Sequence, residues 1–187
     1  MADISTVWDH FSNGNIFSFK ELPIKYTDSS PPYSDDFISN KAKDGKIDKR
    51  GSFASKQNEK YPWLELELFD VKIVECVKII NVDWQPQRLN NVEVRVGNFK
   101  AKTTKSRLDQ NDICFQYRGP GKRGEKIMIS CSSDLVGRYV TIQMIEGKFF
   151  DDGNTDELSH TWLLQIAEVY IIGKQIGSSN QYQTSNN

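Results

Sequence analysis

The sequence has few of the residues that build metal centres and thiol chemistry. It contains three cysteines and two histidines, and no two cysteines are spaced as Cys-x-x-Cys. This pattern excludes the usual structural zinc site. The short interval between Cys114 and Cys131 is compatible with a disulfide, which would indicate an oxidising compartment, and equally with two reduced, buried cysteines.

The sequence also has no large excess of positively or negatively charged residues. The chain has 24 basic and 25 acidic side chains, for a net charge of -1. Without a basic surplus we do not expect nucleic acid as a partner. No apolar run approaches the roughly 20 residues of a membrane span, so we expect a globular chain without a transmembrane segment. The first residues lack a signal-peptide pattern, so Met1 is compatible with an intracellular start or with a removed signal.

Catalytic motifs are absent as well. The sequence contains no GxSxG, HExxH, GxxxxGK[ST] or GxGxxG. His160 is a candidate general base, but a lone histidine at a strand boundary is more often a surface or capping group. The acidic segment 149–157 lacks the spacing of a calcium loop, and we predict a solvated hairpin loop with an Asp-Gly turn there. We therefore do not expect an enzyme.

What the chain does contain is alternation. In WLELELF, leucines and glutamates alternate with a period of two, which is typical of a half-buried strand. Turn residues separate such segments, which predicts an all-β fold, an antiparallel sandwich or barrel. The predicted strands lie in segments 63–69, 71–82, 92–97, 125–131, 138–145 and 162–173.

The two ends of the chain differ from this pattern. The first forty or so residues are rich in turn formers, as in TDSSPPYSDD, and we interpret them as loops tied onto a core. From Lys174 the chain is polar, which predicts a disordered tail. The length suits one domain. We expect an N-terminal extension over 1–14, the domain over 15–173 and the tail over 174–187.

Three segments in a fixed order carry a resemblance to a known family. They are NKAKDGK followed by GSFAS and YPWLELEL, then DWQPQRLNNVEVRVGN, and finally NDICF, SC and GRYVTI closing with IAEVYIIG. In this combination the chain resembles the discoidin superfamily, meaning the coagulation-factor type C domains and especially the F-type, fucose-binding lectins. The resemblance implies an eight-stranded antiparallel jelly-roll β-sandwich, a binding site formed by loops at one end, and no enzymatic activity.

The resemblance also bears on the cysteines. Cys114 and Cys131 fall where these lectins have a disulfide, which favours that bond. The positions of the family's other disulfide hold Phe53 and Ala167, and we expect Phe53 to fill the space. Cys76 is left without a partner, either buried or as a free thiol at the rim.

A structural calcium ion is a further implication of the resemblance. Calcium prefers six to eight oxygen ligands, many of them backbone carbonyls. The alternative is that Asp44-Gly45 is a simple turn and Glu168 faces outward. The ligands carried over from the family are the side chains of Asp44, Ser52 and Glu168 and the carbonyls of Lys41, Lys46 and Ala167.

The sugar site departs most from the family. The lectins hold fucose with a histidine and two arginines, the latter in an Arg-x-Asp motif followed after four residues by Arg or Lys. In NVDWQPQR, Asp83 and Arg88 match, but Asn81 replaces the first arginine and Ser55 the histidine. We predict that Trp84 offers its ring to a sugar, beside Asp83 and Arg88, in a pocket bounded by Ser55 and Asn81. The alternative is an Asp83–Arg88 salt bridge with Trp84 capping the sandwich.

Two functions follow from these observations. The first is a secreted or extracellular, calcium-stabilised, F-type-lectin-like domain that binds a glycan or glycoprotein other than standard fucose ligands. The second is a protein-interaction or cell-adhesion module that has lost sugar binding and contacts a cell-surface protein. Loop residues that would border the same end, and would suit either partner, are Tyr33, Phe37, Arg118, Lys122 and Arg123.

Overall fold

Strands dominate the described part of the molecule. A computed structural model describes residues 8–12, 15–47, 51–101, 107–146, 148–150 and 159–176. Within these residues, three 3₁₀ turns cover Asp35–Phe37, Ser39–Lys43 and Pro86–Arg88. The strands are β1 Trp8–Ser12, β2 Asn15–Glu21, β3 Ile24–Ser29, β4 Phe53–Ala54, β5 Trp63–Ile80, β6 Val92–Gly97, β7 Asp112–Tyr117, β8 Lys126–Met144, β9 Lys148–Phe150, β10 Ser159–Thr161, β11 Gln165–Ile166 and β12 Glu168–Gln175.

The strands pair in antiparallel fashion, in the order β1-β2-β12-β5-β8-β6-β7, with β3 also against β5. The first part of β5 pairs with β3 and the end of β8, and its second part pairs with β12 and the start of β8. Both parts contribute side chains to one hydrophobic core. The all-β antiparallel sandwich predicted from the alternation is confirmed.

The burial pattern of strand β5 accounts for the alternation in its sequence. Leu64, Leu66 and Leu68 are fully buried in the core, while Glu65 and Glu67 lie on the opposite face. The sequence predicted two strands here, but register shifts between Glu67 and Lys72 let one strand continue through the bend. In the same way, the predicted strands 125–131 and 138–145 are parts of the single strand β8.

The prediction of loops in the first forty residues is wrong. Strand β2 pairs with β12, and β3 pairs with β5. Only Thr27 is buried in β3, so this strand has no apolar alternation to detect. The predicted extension 1–14 includes β1, and the predicted tail begins with the last two residues of β12; residues 1–7, 13–14 and 177–187 lie outside the described part of the chain.

The cysteine predictions are confirmed. A disulfide joins Cys114 of β7 to Cys131 of β8. Cys76 is 7% exposed, and its Sγ lies 3.1 Å from Sδ of Met128. Burial raises the pKa of the Cys76 thiol. Phe53 is fully buried in the core, as expected for a residue that fills the space of a lost disulfide.

Two further features complete the fold. Strands β9 and β10 pair with each other, and β9 includes Phe149 and Phe150 of the segment predicted as a hairpin loop; the rest of that prediction falls on residues 151–158, which lie outside the described part. His160 belongs to β10. Among the described residues, no helix is long and apolar enough to cross a membrane.

Candidate functional site

Asn81 fixes the loop that follows β5. Its side chain is fully buried, and Nδ2 donates to the carbonyls of Pro86 (2.9 Å) and Lys122 (3.0 Å). Its Oδ1 accepts from the backbone N–H of Val82 at 2.9 Å. Asn81 therefore ties this loop to the segment 118–125 and does not line a pocket, contrary to the prediction.

The loop then turns sharply at Gln85. This residue has left-handed backbone angles, φ 52° and ψ 52°, and the 3₁₀ turn Pro86–Arg88 follows it directly. The Trp84 side chain is 54% exposed, whereas Arg88 is half-buried. One turn thus presents an aromatic face and a guanidinium at the same end of the sandwich.

These two side chains line one cavity. Nη1 of Arg88 donates to Oε1 of Gln165 at 2.9 Å. Tyr33 and Phe37 pack edge to face, with ring centroids 6.0 Å apart. The cavity has a volume of about 180 Å³, and its lining residues are Tyr33, Phe37, Ala54, Trp84, Gln85, Arg88 and Gln165.

The electrostatics of the cavity depend on Arg88 alone among its lining residues. Burial lowers the pKa of Arg88, with an opposing contribution from Tyr33, but a guanidinium stays charged in proteins. The alternative salt bridge with Asp83 is not formed. Asp83 is exposed and turned towards Gly124, where an added Cβ would lie 3.0 Å from its Oδ1.

Ser55 also lies elsewhere than predicted. Its hydroxyl is fully buried and accepts from the backbone N–H of Leu164 at 3.0 Å, beneath the cavity wall formed by Ala54. Of the five predicted ligand-binding residues, the structure brings only Trp84 and Arg88 into the cavity. The residues missed are Gln85 and Gln165; the latter is the one polar residue in WLLQIA, and that interruption is the signal that could have found it.

A second cavity, of about 390 Å³, contains the proposed cation ligands Asp44 and Glu168. Glu168 is 2% exposed, and Oε2 accepts from the backbone N–H of Gly45 at 2.9 Å. The pKa of Glu168 is raised to about 7, chiefly by burial and also by the nearby Asp44 and Glu21 carboxylates, against the backbone hydrogen bonds from Gly45 and Lys46. A bound cation would offset the cost of burying the Glu168 carboxylate and the repulsion between it and Asp44. The two carboxylates are therefore compatible with a calcium site.

The remaining predicted ligands surround this pair unevenly. Nζ of Lys41 lies 3.8 Å from Oδ2 of Asp44, and the backbone N–H of Lys46 donates to Oδ1 of Asp44 at 3.0 Å. The Ser52 hydroxyl is fully buried and accepts from Nε2 of Gln165 at 3.3 Å. The backbone N–H of Ala167 donates to the carbonyl of Ile80 at 3.0 Å.

Side chains alone do not complete a cation site. In the described part of the chain no three residues of the types His, Cys, Asp and Glu are grouped as metal ligands. A calcium ion would therefore depend on backbone carbonyls as well as on the two carboxylates.

Solved structures share this architecture. A fucolectin from the serum of striped bass (Morone saxatilis) superposes with a TM-score of 0.61 and 20% identity, over 85% of this chain and 50% of that chain. A fucose-binding module of Streptococcus pneumoniae gives 0.58 and 19%, over 88% of this chain and 100% of that chain. The chain has the discoidin-like fold of the F-type lectins. The fold implied by the sequence resemblance is thereby confirmed.

A third structure with this fold is the CBM32 module of AlyQ in complex with 4,5-unsaturated mannuronic acid. It superposes with a TM-score of 0.56 and 16% identity, over 81% of this chain and 96% of that chain. The chain spans half the length of the fucolectin chain. No family model and no curated protein matches the sequence. At these identities the likeness shows the fold alone.

Proposed function

We propose that this chain is an extracellular carbohydrate-binding module that acts by binding rather than by catalysis. Its sugar site is the cavity between Trp84 and Arg88. The observation that carries the proposal is the exposed Trp84 ring beside the Arg88–Gln165 hydrogen bond in one small cavity. Neighbours with this fold are described as binding fucose and an unsaturated mannuronic acid. The disulfide supports an oxidising compartment.

The cavity offers the two kinds of contact that a sugar ring needs. Trp84 supplies a flat apolar surface for the C–H face of the ring. Arg88 supplies hydrogen-bond donors for ligand oxygens. The cavity volume of about 180 Å³ suits a single sugar ring better than a drug-sized ligand.

Specificity should differ from ordinary fucose recognition. The residues at the positions of the lectins' histidine and first arginine, Ser55 and Asn81, are fully buried and occupied by hydrogen bonds to the backbone. Neither can donate to a sugar from there. Arg88 is left as the single charged anchor, so the preferred ligand need not place hydroxyls where fucose does.

A glycan array tests the proposal. We expect selective binding by the wild-type chain and loss of at least about tenfold in affinity in Trp84→Ala, because the stacking surface is removed. Phe69→Ala is the matched control, since Phe69 is 53% exposed but does not line the cavity. Equal binding by Trp84→Ala and wild type would reject this cavity as the sugar site.

The second candidate function is a protein-interaction module. Tyr33 and Trp84 are both more than half exposed at the same end, and exposed aromatic residues are enriched at protein interfaces. A blank array, with a protein partner lost on Trp84→Ala, would favour this function over the first.

We further propose that calcium binds at Asp44 and Glu168, with Ser52 and the carbonyls of Lys41, Lys46 and Ala167 as the remaining ligands. The support is the buried Glu168 carboxyl beside Asp44. Calcium at about 100 times its Kd should raise Tm by roughly 5 °C, since ligand bound to the native state stabilises it. Asp44→Asn should remove this shift. An unchanged wild-type Tm with excess calcium would reject the site.

A further inference from the structure

The charge of Arg88 has no counterpart in the cavity that contains it. The other lining residues are aromatic, aliphatic or amide side chains. Within the described part of the chain, Gln165 is the one hydrogen-bond partner of the guanidinium, and no carboxylate forms an ion pair with it. Asp35 and Asp36, on the same turn as Phe37, are exposed and do not line the cavity.

Half-buried guanidinium groups in proteins are usually matched by an anion, because desolvating a charge without a partner is unfavourable. Among the described residues, the buried Arg95 and the half-buried Arg138 follow that rule: Nη2 of Arg95 lies 2.9 Å from Oε2 of Glu93, and Nη2 of Arg138 pairs with Oε1 of Glu67. Arg88 instead faces a neutral amide oxygen that occupies one of its five N–H donors. The unmatched donors and charge therefore favour a ligand that brings its own negative group.

We propose that the preferred ligand is an acidic saccharide whose carboxylate pairs with the guanidinium of Arg88 while the sugar ring lies against Trp84. This inference rests on the proposed function. The planar fork of arginine matches a carboxylate through two parallel hydrogen bonds. Gln165 holds the guanidinium from one side, which fixes the orientation of that fork. Exposed Lys122 and Arg123, on the segment tied to this loop by Asn81, add attraction for an anion.

The test compares sugars of the same ring configuration that differ only at C6, which is a carboxylate in the acidic member and a hydroxymethyl group in the neutral member. Isothermal titration calorimetry with the full chain would use β-1,4-linked mannuronate trisaccharide against β-1,4-mannotriose, and the matched glucose- and galactose-configured pairs. In at least one pair the uronate should bind about tenfold more tightly or better, as expected for charge-assisted hydrogen bonds. The difference should shrink at high salt. A sulfated analogue of the neutral sugar is the arm that separates carboxylate recognition from general anion binding.

Variants locate the effect. Arg88→Gln should abolish the difference between the acidic and neutral members of the pair, whereas Lys20→Gln removes one positive charge at an exposed strand residue that does not line the cavity and should change affinity by less than about twofold. Arg88→Lys should recover only part of the preference, because an ammonium lacks the planar fork. The wild-type comparison stands by itself even if Arg88→Gln fails to fold.

The outcomes separate the inference from the proposed function. If the neutral member binds as tightly as the acidic one in every pair, the inference is wrong and sugar binding stands. Preference for the sulfated analogue over the uronate would also contradict it. If no member of any pair binds but a neutral glycan on the array does, the inference falls alone. If neither the pairs nor the array give binding, both are wrong.

Discussion

Asn81 and Ser55, which the sequence resemblance aligned with sugar-binding residues of the F-type lectins, both hydrogen-bond to backbone groups of this chain. Asn81 satisfies two carbonyls and one N–H, and Ser55 satisfies the N–H of Leu164. A buried backbone group without a partner is costly, so each side chain has a structural role that needs no ligand. The end of the sandwich therefore depends on these two residues for its shape and on Trp84 and Arg88 for its chemistry.

Replacement of Asn81 tests that division. Asn81→Ala leaves the carbonyls of Pro86 and Lys122 without their donor, and we expect the free energy of unfolding to fall by about 2–3 kcal/mol. Urea denaturation measures it. Asp83→Ala, in the same loop but exposed, should stay within about 0.5 kcal/mol of wild type. If both variants had equal stability, Asn81 would not tie the loop.

Glu65 predicts how stability depends on pH. Its side chain is 1% exposed, Oε2 accepts from the N–H of Ala101, and Oε1 has no hydrogen-bond partner within the described residues. Burial raises its pKa from 4.5 to about 7, with opposing contributions from the Ala101 hydrogen bond and Lys100. Because the folded chain holds this proton longer than the unfolded chain, stability falls as pH rises from 4.5 to about 7.

The experiment compares wild type with Glu65→Gln in calcium-free buffer. Between pH 5 and pH 8 the free energy of unfolding of the variant should fall by on the order of 1–2 kcal/mol less than that of wild type. Glutamine can still accept the hydrogen bond from Ala101, but it does not ionise. Glu146→Gln, at an exposed position, is the control and should retain the decline. An undiminished decline in Glu65→Gln would show that Glu65 does not cause it.

Arg88 could be predicted because it matches the motif of the resembled family, and Trp84 because an aromatic ring in that loop can offer a flat apolar face to a sugar. The sequence could not show that the Asn81 side chain, unlike those of Trp84 and Arg88, does not line the cavity, because an aligned position does not reveal which way a side chain points. Gln165 was missed for a related reason. Its role appears only when strand β11 is brought next to the loop that contains Arg88.

At the scale of elements, the strands β5 and β8 carry the architecture. Each extends through a bend and pairs with strands on both sides of the core. Alternation predicted their segments but not their continuity, because a β-bulge leaves no clear mark in composition. Strand β3 has no apolar alternation in its own sequence, and its place in the sheet depends on pairing with β5. The sequence pattern therefore did not indicate it.

The disulfide links two strands that do not pair with each other. Cys131 lies in the first part of β8, outside the segment 139–144 that pairs with β6, and it joins Cys114 at a Cα–Cα distance of 4.4 Å and a sequence separation of 17. The disulfide lowers the entropy of the unfolded chain by closing a loop of this length. We therefore expect Cys114→Ala/Cys131→Ala to lower the free energy of unfolding by about 3 kcal/mol. Urea denaturation measures this loss. Reducing agent should destabilise wild type but not the double variant, and an equal response of the two proteins would contradict the role.

At the scale of the whole molecule, one side chain links Arg88 of the first cavity to Ser52. Oε1 of Gln165 accepts from Arg88 and its Nε2 donates to Ser52, a proposed calcium ligand. A cation at Ser52 would therefore hold Gln165, and Gln165 would hold the guanidinium. The hydrogen bonds provide a physical route by which calcium would favour sugar binding.

This connection predicts a coupling. Glycan affinity measured by calorimetry should fall several-fold, by about 1 kcal/mol, when calcium is removed with a chelator. Gln165→Leu should reduce that dependence while Asp44→Asn abolishes it. Identical affinity of the wild-type protein with and without calcium would mean that the two sites are independent.

The most direct test of the account maps the bound ligand onto the chain. In a ¹⁵N-labelled sample, titration with the best array ligand should shift the Trp84 indole N–H and the backbone amides of Tyr33, Arg88 and Gln165, and leave those of β1 and β7 in place. Shifts confined to the separate cavity beside Lys100 and Arg107, with Trp84 unchanged, would contradict the assignment of the sugar site.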